Sequence, residues 1–128
     1  YSQFVVDVIR TYKEDLEIKV PLCVGNVVTY NGARVLIDAG ADMIKWGMST
    51  GSICSTRREK AVGRAPLAAL IDAEKVRQEY LDQGRHVPMI IDGGVSSASD
   101  MVVALAFADA IMMGGYFNHF YLLAENGK

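Results

Sequence analysis

The chain has 128 residues, 51% hydrophobic and 22% charged, a balance that suits one soluble domain built around one core. Its formal net charge of -2 gives no electrostatic pull toward nucleic acid or an anionic membrane, and no apolar run approaches the ~20 residues that a membrane helix needs. The first residues lack the basic start and apolar core of a signal peptide, and Cys23 and Cys54 sit in unlike contexts, so a reduced cytoplasmic protein without a disulfide framework is expected.

Residues 3–15 place Val5, Ile9 and Tyr12 at helical spacing, continued by Leu16, with Arg10, Lys13 and Glu14 outside the stripe, which predicts an amphipathic helix. Residues 20–24 form a short apolar run with Pro21 near its start, as a first strand would. Cys23, between Leu22 and Val24, is expected in the core. Thr29 can cap a helix running to about Ala39, with Gly40 as its C′ residue. Residues 42–46 make a second strand. Residues 47–66 are Gly-rich and basic and are expected to be loop. Leu67, Leu70, Ile71, Val76, Tyr80 and Leu81 mark another helix, closed by Gly84. Residues 87–91 make a third strand, Ser96 or Ser97 caps a helix to Ala106, and residues 110–113 make a fourth strand. Tyr116 opens a last helix.

Short buried strands alternating with helices predict a parallel sheet with crossover helices. A repeat at an offset of 67 residues sharpens this. Val20-Pro21-Leu22 matches Val87-Pro88-Met89, and Ala41-Asp42-Met43-Ile44 matches Ala108-Asp109-Ala110-Ile111. Val28 then falls on Val95, Thr29 on Ser96 and Gly47 on Gly114. One strand–helix–strand unit is used twice, and repeated βα units of near-equal length build a (β/α)₈ barrel, of which four strands are half. A doubly wound sheet is the alternative closure. Gly40 has Phe107 as its counterpart, so either the second helix ends differently or a residue is missing there.

Ligands of α/β folds bind at the carboxyl ends of the strands. Four glycine-containing segments fall there: Gly25-Asn26, the stretch from Gly47 to Cys54, Asp92-Gly93-Gly94, and Gly114-Gly115. Strand-to-helix loops need turn residues in any protein, but four such segments together, one with an Asp, favour a site where backbone N–H groups meet an anion and Asp92 accepts from a ribose diol. Cys54 lies among Ser52, Ser55, Thr56, Arg57 and Arg58, where cations raise the thiolate fraction and a nucleophile is the better reading than a packed small residue. Lys45 stands in an apolar strand and points either into a barrel interior toward a ligand or carboxylate, or outward beside a helix. His86 and His119 have no partner at metal-ligand spacing.

These residues carry a resemblance. Gly25-Asn26-Val27-Val28-Thr29, Ala39-Gly40-Ala41-Asp42, Lys45 to Gly47, Gly51-Ser52-Ile53-Cys54-Ser55-Thr56-Arg57, Val62-Gly63-Arg64, Asp92-Gly93-Gly94 and Met112-Met113-Gly114-Gly115 occur in this order in the IMP dehydrogenase/GMP reductase family. The chain resembles that family over nearly its whole length, as a single partial catalytic domain running from the fourth helix to the eighth strand and the start of the last helix of a (β/α)₈ barrel. The resemblance implies that Cys54 attacks C2 of the IMP purine and that hydride leaves to NAD. Water, with help from Thr56, then hydrolyses the covalent intermediate to XMP. It implies that Ser52, Gly94, Gly114 and Gly115 hold the 5′-phosphate, with Gly93 beside them, and that Asp92 holds the ribose. Asn26, Lys45 and Gly47 would lie near the nicotinamide, and main-chain carbonyls of Ser49, Gly51 and Cys54 would bind a potassium ion. Trp46 departs from the usual small aliphatic residue. The family's CBS pair and water-activating flap have no counterpart in these residues, so the isolated chain is expected neither to close a site nor to turn over; a tetramer is expected of the parent. GMP reductase, running the NADPH-dependent reaction through the same cysteine, and a non-catalytic nucleotide-binding half barrel are the rival readings.

Overall fold

The computed structural model describes residues 2–16, 18–47 and 66–118. Helix α1, Gln3–Arg10, buries Val6 and Ile9 and runs into a π-helical turn, Thr11–Asp15. There Leu16 N–H donates to Thr11 O at 3.0 Å, five residues back. The extra residue in that turn rotates the following positions off the helical stripe, so Leu16, expected inside, is 61% exposed.

Strand β1 is Cys23–Val27, β2 Met43–Trp46, β3 Met89–Asp92 and β4 Ala110–Met112. Helix α2, Tyr30–Asp38, joins β1 to β2, helix α3, Pro66–Asp82, precedes β3, and helix α4, Ala98–Leu105, joins β3 to β4. A short helix α5, Gly115–Asn118, follows β4. The caps fall where expected. Thr29 Oγ1 accepts from Gly32 N–H, and Gly40 and Gly84 carry φ of 115° and 76°. Ser97, rather than Ser96, caps α4 in a reciprocal box with Asp100.

All four strands are parallel, in the order β1-β2-β3-β4. Each new strand is added on the same side, and a right-handed crossover repeated in one direction lays every helix on the same face. The burial pattern shows that face. Val24, Ile44, Trp46, Met89 and Ile91 are buried with α2 and α3 against them, whereas Cys23, Met43, Lys45, Ile90 and Asp92 on the other face are only partly covered or exposed. A doubly wound sheet reverses its strand order and takes helices on both faces, so that alternative is excluded. The arrangement is part of a (β/α)₈ barrel, with the uncovered face as the barrel interior.

Cys23 corrects an expectation. It opens β1 instead of lying mid-strand, and strand alternation puts it with Met43 on the uncovered face, where it is exposed. The first strand also starts later than Val20, which is 62% exposed. Pro21 has no N–H, and the N–H of Leu22 goes to the Asp42 carboxylate at 2.6 Å, so ladder pairing begins only at Cys23. On α3 the small residues Ala69 and Ala73 join Leu70, Val76 and Tyr80 inside, leaving Ile71 and Leu81 44% and 38% exposed.

The 67-residue repeat is physical. Asp42 Oδ2 accepts from Leu22 N–H and from Lys13, and its own N–H donates to Leu22 O. Asp109 does the same one repeat later, accepting from Met89 N–H at 2.8 Å, facing His86 Nε2 at 3.1 Å, and donating its N–H to Met89 O. Each Asp clamps the amino end of its own strand to that of the preceding one. The Phe107 anomaly resolves without a missing residue. Phe107 N–H donates to Ala104 O at 3.0 Å, the counterpart of the bond from Gly40 N–H to Ile37 O at 3.0 Å.

Two outcomes follow. Trp46 is fully buried and its indole N–H points at the Met89 sulfur 3.0 Å away, so Trp46→Ala should cost about 3–5 kcal/mol by chemical denaturation. Burial pushes the Asp42 carboxyl up, but the hydrogen bonds from Lys13 and Leu22 N–H and the charges of Lys13 and Arg85 outweigh it and hold it below its ordinary value. A depressed carboxylate stabilises the fold above its unfolded pKa of about 3.9 and loses that contribution as the pH falls through its folded value. Asp42→Asn should therefore lower the urea midpoint at pH 7, and the gap to wild type should close below about pH 4. An equal gap at both ends of the range would refute this origin.

Candidate active site

Three strand ends converge on the uncovered face. Lys45 on β2 reaches Asp92 at the end of β3, with Nζ 2.9 Å from Oδ2. The Asn26 side chain, from β1, donates from Nδ2 to the same Oδ2 at 2.8 Å and to Gly47 O at 2.7 Å. Both atoms facing that nitrogen are acceptors, so the amide orientation is set by chemistry. Lys45 thus points into the barrel interior toward a carboxylate, which settles its two sequence-level alternatives. Exposed ion pairs contribute only ~0–1 kcal/mol, and Lys45 and Asp92 are each about 30% exposed, so the pair matters more for orientation than for stability.

Asn26 reaches this cluster because β1 is irregular. Gly25 pairs with Lys45 and Val27 with Trp46, leaving Asn26 as an extra residue between them. Strict alternation would put Asn26 on the helix side with Val24. The bulge turns it to the open face and returns Val27, 4% exposed, to the core. Gly25 permits this close packing: a Cβ there would lie 2.4 Å from Lys45 O and 2.7 Å from Lys45 Cβ.

Burial pushes the Asp92 carboxyl up, but the Asn26 hydrogen bond and the hydrogen bond and charge of Lys45 outweigh it and hold it below its ordinary value. An ionised carboxylate is an acceptor only, as a diol partner must be. Beyond it, Gly93 and Gly94 take φ of 82° and 79°, a left-handed pair that costs an L side chain about 1–2 kcal/mol per residue. Gly93 N–H is tied to Met112 O at 3.2 Å, which links the ends of β3 and β4. Gly114 and Gly115 follow at the end of β4 with open space where side chains would be. A cavity of about 220 Å³ lies behind Gly93-Gly94, between Leu70, Ile91, Val103 and Ala104. Asp100 of α4 also lines it, and neither Lys45 nor Asp92 does.

The structure therefore brings together Asn26, Lys45, Gly47 and Asp92, and sets Gly93, Gly94, Gly114 and Gly115 at the adjoining strand ends. Ser49, Gly51, Ser52, Cys54 and Thr56 lie outside the described residues. Among the described residues no group of three or more His, Cys, Asp or Glu could hold a metal ion, and no helix is long and apolar enough to cross a membrane. The Lys45–Asp92 pair and the Asn26 bridge were not legible beforehand, since their partners stand 47 and 66 residues apart. The Asp42 and Asp109 clamps had a signal in the repeat.

A barrel segment whose strand carboxyl ends carry an ionised Asp beside successive glycine turns defines a ligand-binding (β/α) class of protein. Comparison with known proteins gives the family. Residues 1–121 match the model of the IMP dehydrogenase / GMP reductase domain, and the chain belongs to that family of oxidoreductases. It is 45% identical over 104 residues to inosine-5′-monophosphate dehydrogenase of Tritrichomonas foetus, covering 80% of this chain and 21% of that protein. It is 42% identical over 115 residues to the Rhizobium tropici protein of the same name, covering 89% and 22%. It is 39% identical over 116 residues to GMP reductase of Leishmania donovani, covering 89% and 23%. The chain spans about a fifth of the length of these relatives.

Gly25→Ala should force the β1 and β2 backbones apart at Lys45. The expected result is a loss of about 1–3 kcal/mol in stability, measured by urea unfolding, with weakening of the Lys45–Asp92 contact.

Proposed function

We propose that the 128 residues are the second half of a catalytic (β/α)₈ barrel and that, in a completed barrel, they carry the NAD-dependent oxidation of IMP to XMP. The observation that carries this reading is the junction at Gly47. Gly47, the last described residue before the Gly-Ser-Ile-Cys segment, is bonded through Asn26 to Asp92, so Gly47 and the proposed ribose acceptor form one unit. In this reading Asp92 accepts from the ribose hydroxyls, kept charged by Lys45 and Asn26. Gly94, Gly114 and Gly115, with Ser52, present N–H and hydroxyl donors to the 5′-phosphate, with Gly93 shaping the turn. Cys54 attacks C2 of the purine, and Thr56 beside it assists hydrolysis of the resulting thioimidate.

NAD, when bound, accepts the hydride that leaves C2. The described residues fit its nicotinamide end. Asn26 keeps its Oδ1 acceptor for a carboxamide N–H, and no described helix covers the sheet face above Lys45 and Gly47. The proposed potassium site, on the carbonyls of Ser49, Gly51 and Cys54, falls outside the described residues, and no step is derived through it. A cytoplasmic homotetramer is the proposed state of the parent.

In the completed barrel a 6-chloropurine ribotide tests the nucleophile. Because Cys23 is exposed, the experiment uses Cys23→Ser as background, and intact mass should report one ribotide adduct that disappears in the Cys54→Ser double variant. No adduct would leave a non-catalytic nucleotide-binding module as the better account. The match to a GMP reductase keeps a second reading open. In the completed barrel, NAD⁺ reduction with IMP supports the dehydrogenase, and NADPH oxidation with GMP supports the reductase.

A further inference from the structure

We infer that Asn26 is a positioning residue: by bridging the Gly47 carbonyl and the Asp92 carboxylate it fixes Gly47 just past the end of β2 and the direction in which Asp92 meets a nucleotide. The inference rests on the nucleotide-site reading above and adds to it a role for a residue whose family resemblance placed it only near the cofactor.

Three observations carry it. An amide nitrogen has two protons, and both are directed at protein acceptors, Gly47 O at 2.7 Å and Asp92 Oδ2 at 2.8 Å. Asn26 therefore has no donor left for a ligand, and both protons of its amide act on other residues. Second, β1 bulges at this one position, and the effect is to move Asn26 from the helix side of the sheet to the face that carries Lys45 and Asp92. Bulges re-aim side chains in this way beside functional sites. Third, Lys45 approaches the same Oδ2 from β2 at 2.9 Å. One carboxylate oxygen is held by two donors on two neighbouring strands, and this fixes the plane of the carboxyl group against rotation about its last bond. Lys45 approaches on a long flexible stem, whereas the short Asn26 side chain adds a directional donor.

The role differs from ordinary packing in what it predicts. Loss of the amide should change how Asp92 titrates and how it receives a nucleotide, while leaving the helix-side core, to which Asn26 does not contribute, in place. The experiment, made in the completed barrel, is a carbon-detected NMR titration of the Asp92 carboxyl in wild type, Asn26→Ala and Asn26→Ser, with IMP affinity taken from the shift changes of the same signals. Asn26→Ala should raise the Asp92 titration midpoint and weaken IMP by about tenfold. Asn26→Ser, which keeps one donor, should fall between the two and carries the test if the alanine variant does not fold. An Asp92 midpoint and an IMP affinity that match wild type in both variants overturn the inference. If IMP leaves the Asp92 signal of the wild type unmoved, the nucleotide reading fails, and the inference with it; a wild type that responds beside unaffected variants sinks the inference alone.

Discussion

Single-sided cover of the sheet is the constraint from which the rest follows. In a parallel sheet neighbouring strands keep their side chains in step, so the two faces are set by which residues pair across the ladder. Here every crossover returns on the same side, and Val24, Ile44, Trp46, Met89 and Ile91 meet α2 and α3 while Lys45 and Asp92 face away. A polar residue on the helix side would need a buried partner. On the open side Lys45 and Asp92 satisfy one another and stay accessible. The polar side chains of the sheet gather on one face because the other face is used by the core.

The strand ends divide the labour further. At the amino ends Asp42 and Asp109 clamp neighbouring strands with the same pair of bonds, one repeat apart, and a nitrogen-bearing side chain, Lys13 or His86, faces each carboxylate. These are stability devices, and their repetition is what a fold built from a duplicated βα unit requires. At the carboxyl ends the two copies diverge. Gly25-Asn26 in β1 becomes Asp92-Gly93 in β3, and the bulge in β1 brings the side chains of Asn26 and Asp92 to one point. Divergence at one end and repetition at the other match the separation of catalytic from structural roles in (β/α) barrels.

The apolar side chains at the two ends of the layer fit the same picture. Phe4, Val8 and Leu16 on the segment around α1, and Val102, Val103 and Leu105 on α4, are exposed. Interior helices of the layer, α2 and α3, instead pack against each other through Tyr30, Arg34 and Glu79, with Tyr80 bonded to Asp38 and its hydroxyl pushed up to about 12, first by burial and then by that carboxylate. A helix flanked on both sides can use polar contacts at its seams, whereas the segment around α1 and helix α4 leave apolar side chains exposed.

Much of this was legible in the sequence, because it is local or periodic. Thr29 and Gly40 mark their helix by short-range hydrogen bonding and backbone conformation, and the 67-residue match of Val20-Pro21-Leu22 with Val87-Pro88-Met89 disclosed the repeated unit before any coordinates. The glycines at the strand ends pointed to a ligand site for the same reason. Tertiary structure alone decided the rest. The burial of Cys23 depended on where β1 begins, which is set by an Asp42 carboxylate twenty residues away taking the Leu22 N–H. The fate of Leu16 depended on a π turn, and the orientation of Asn26 on a one-residue bulge that reverses the face of its side chain. The choice between a barrel and a doubly wound sheet depended on the direction in which each crossover returns, which no strand encodes by itself. Residue types and spacing determine which groups the chain can offer. Register and handedness, which exist only once strands pair, determine which of those groups meet.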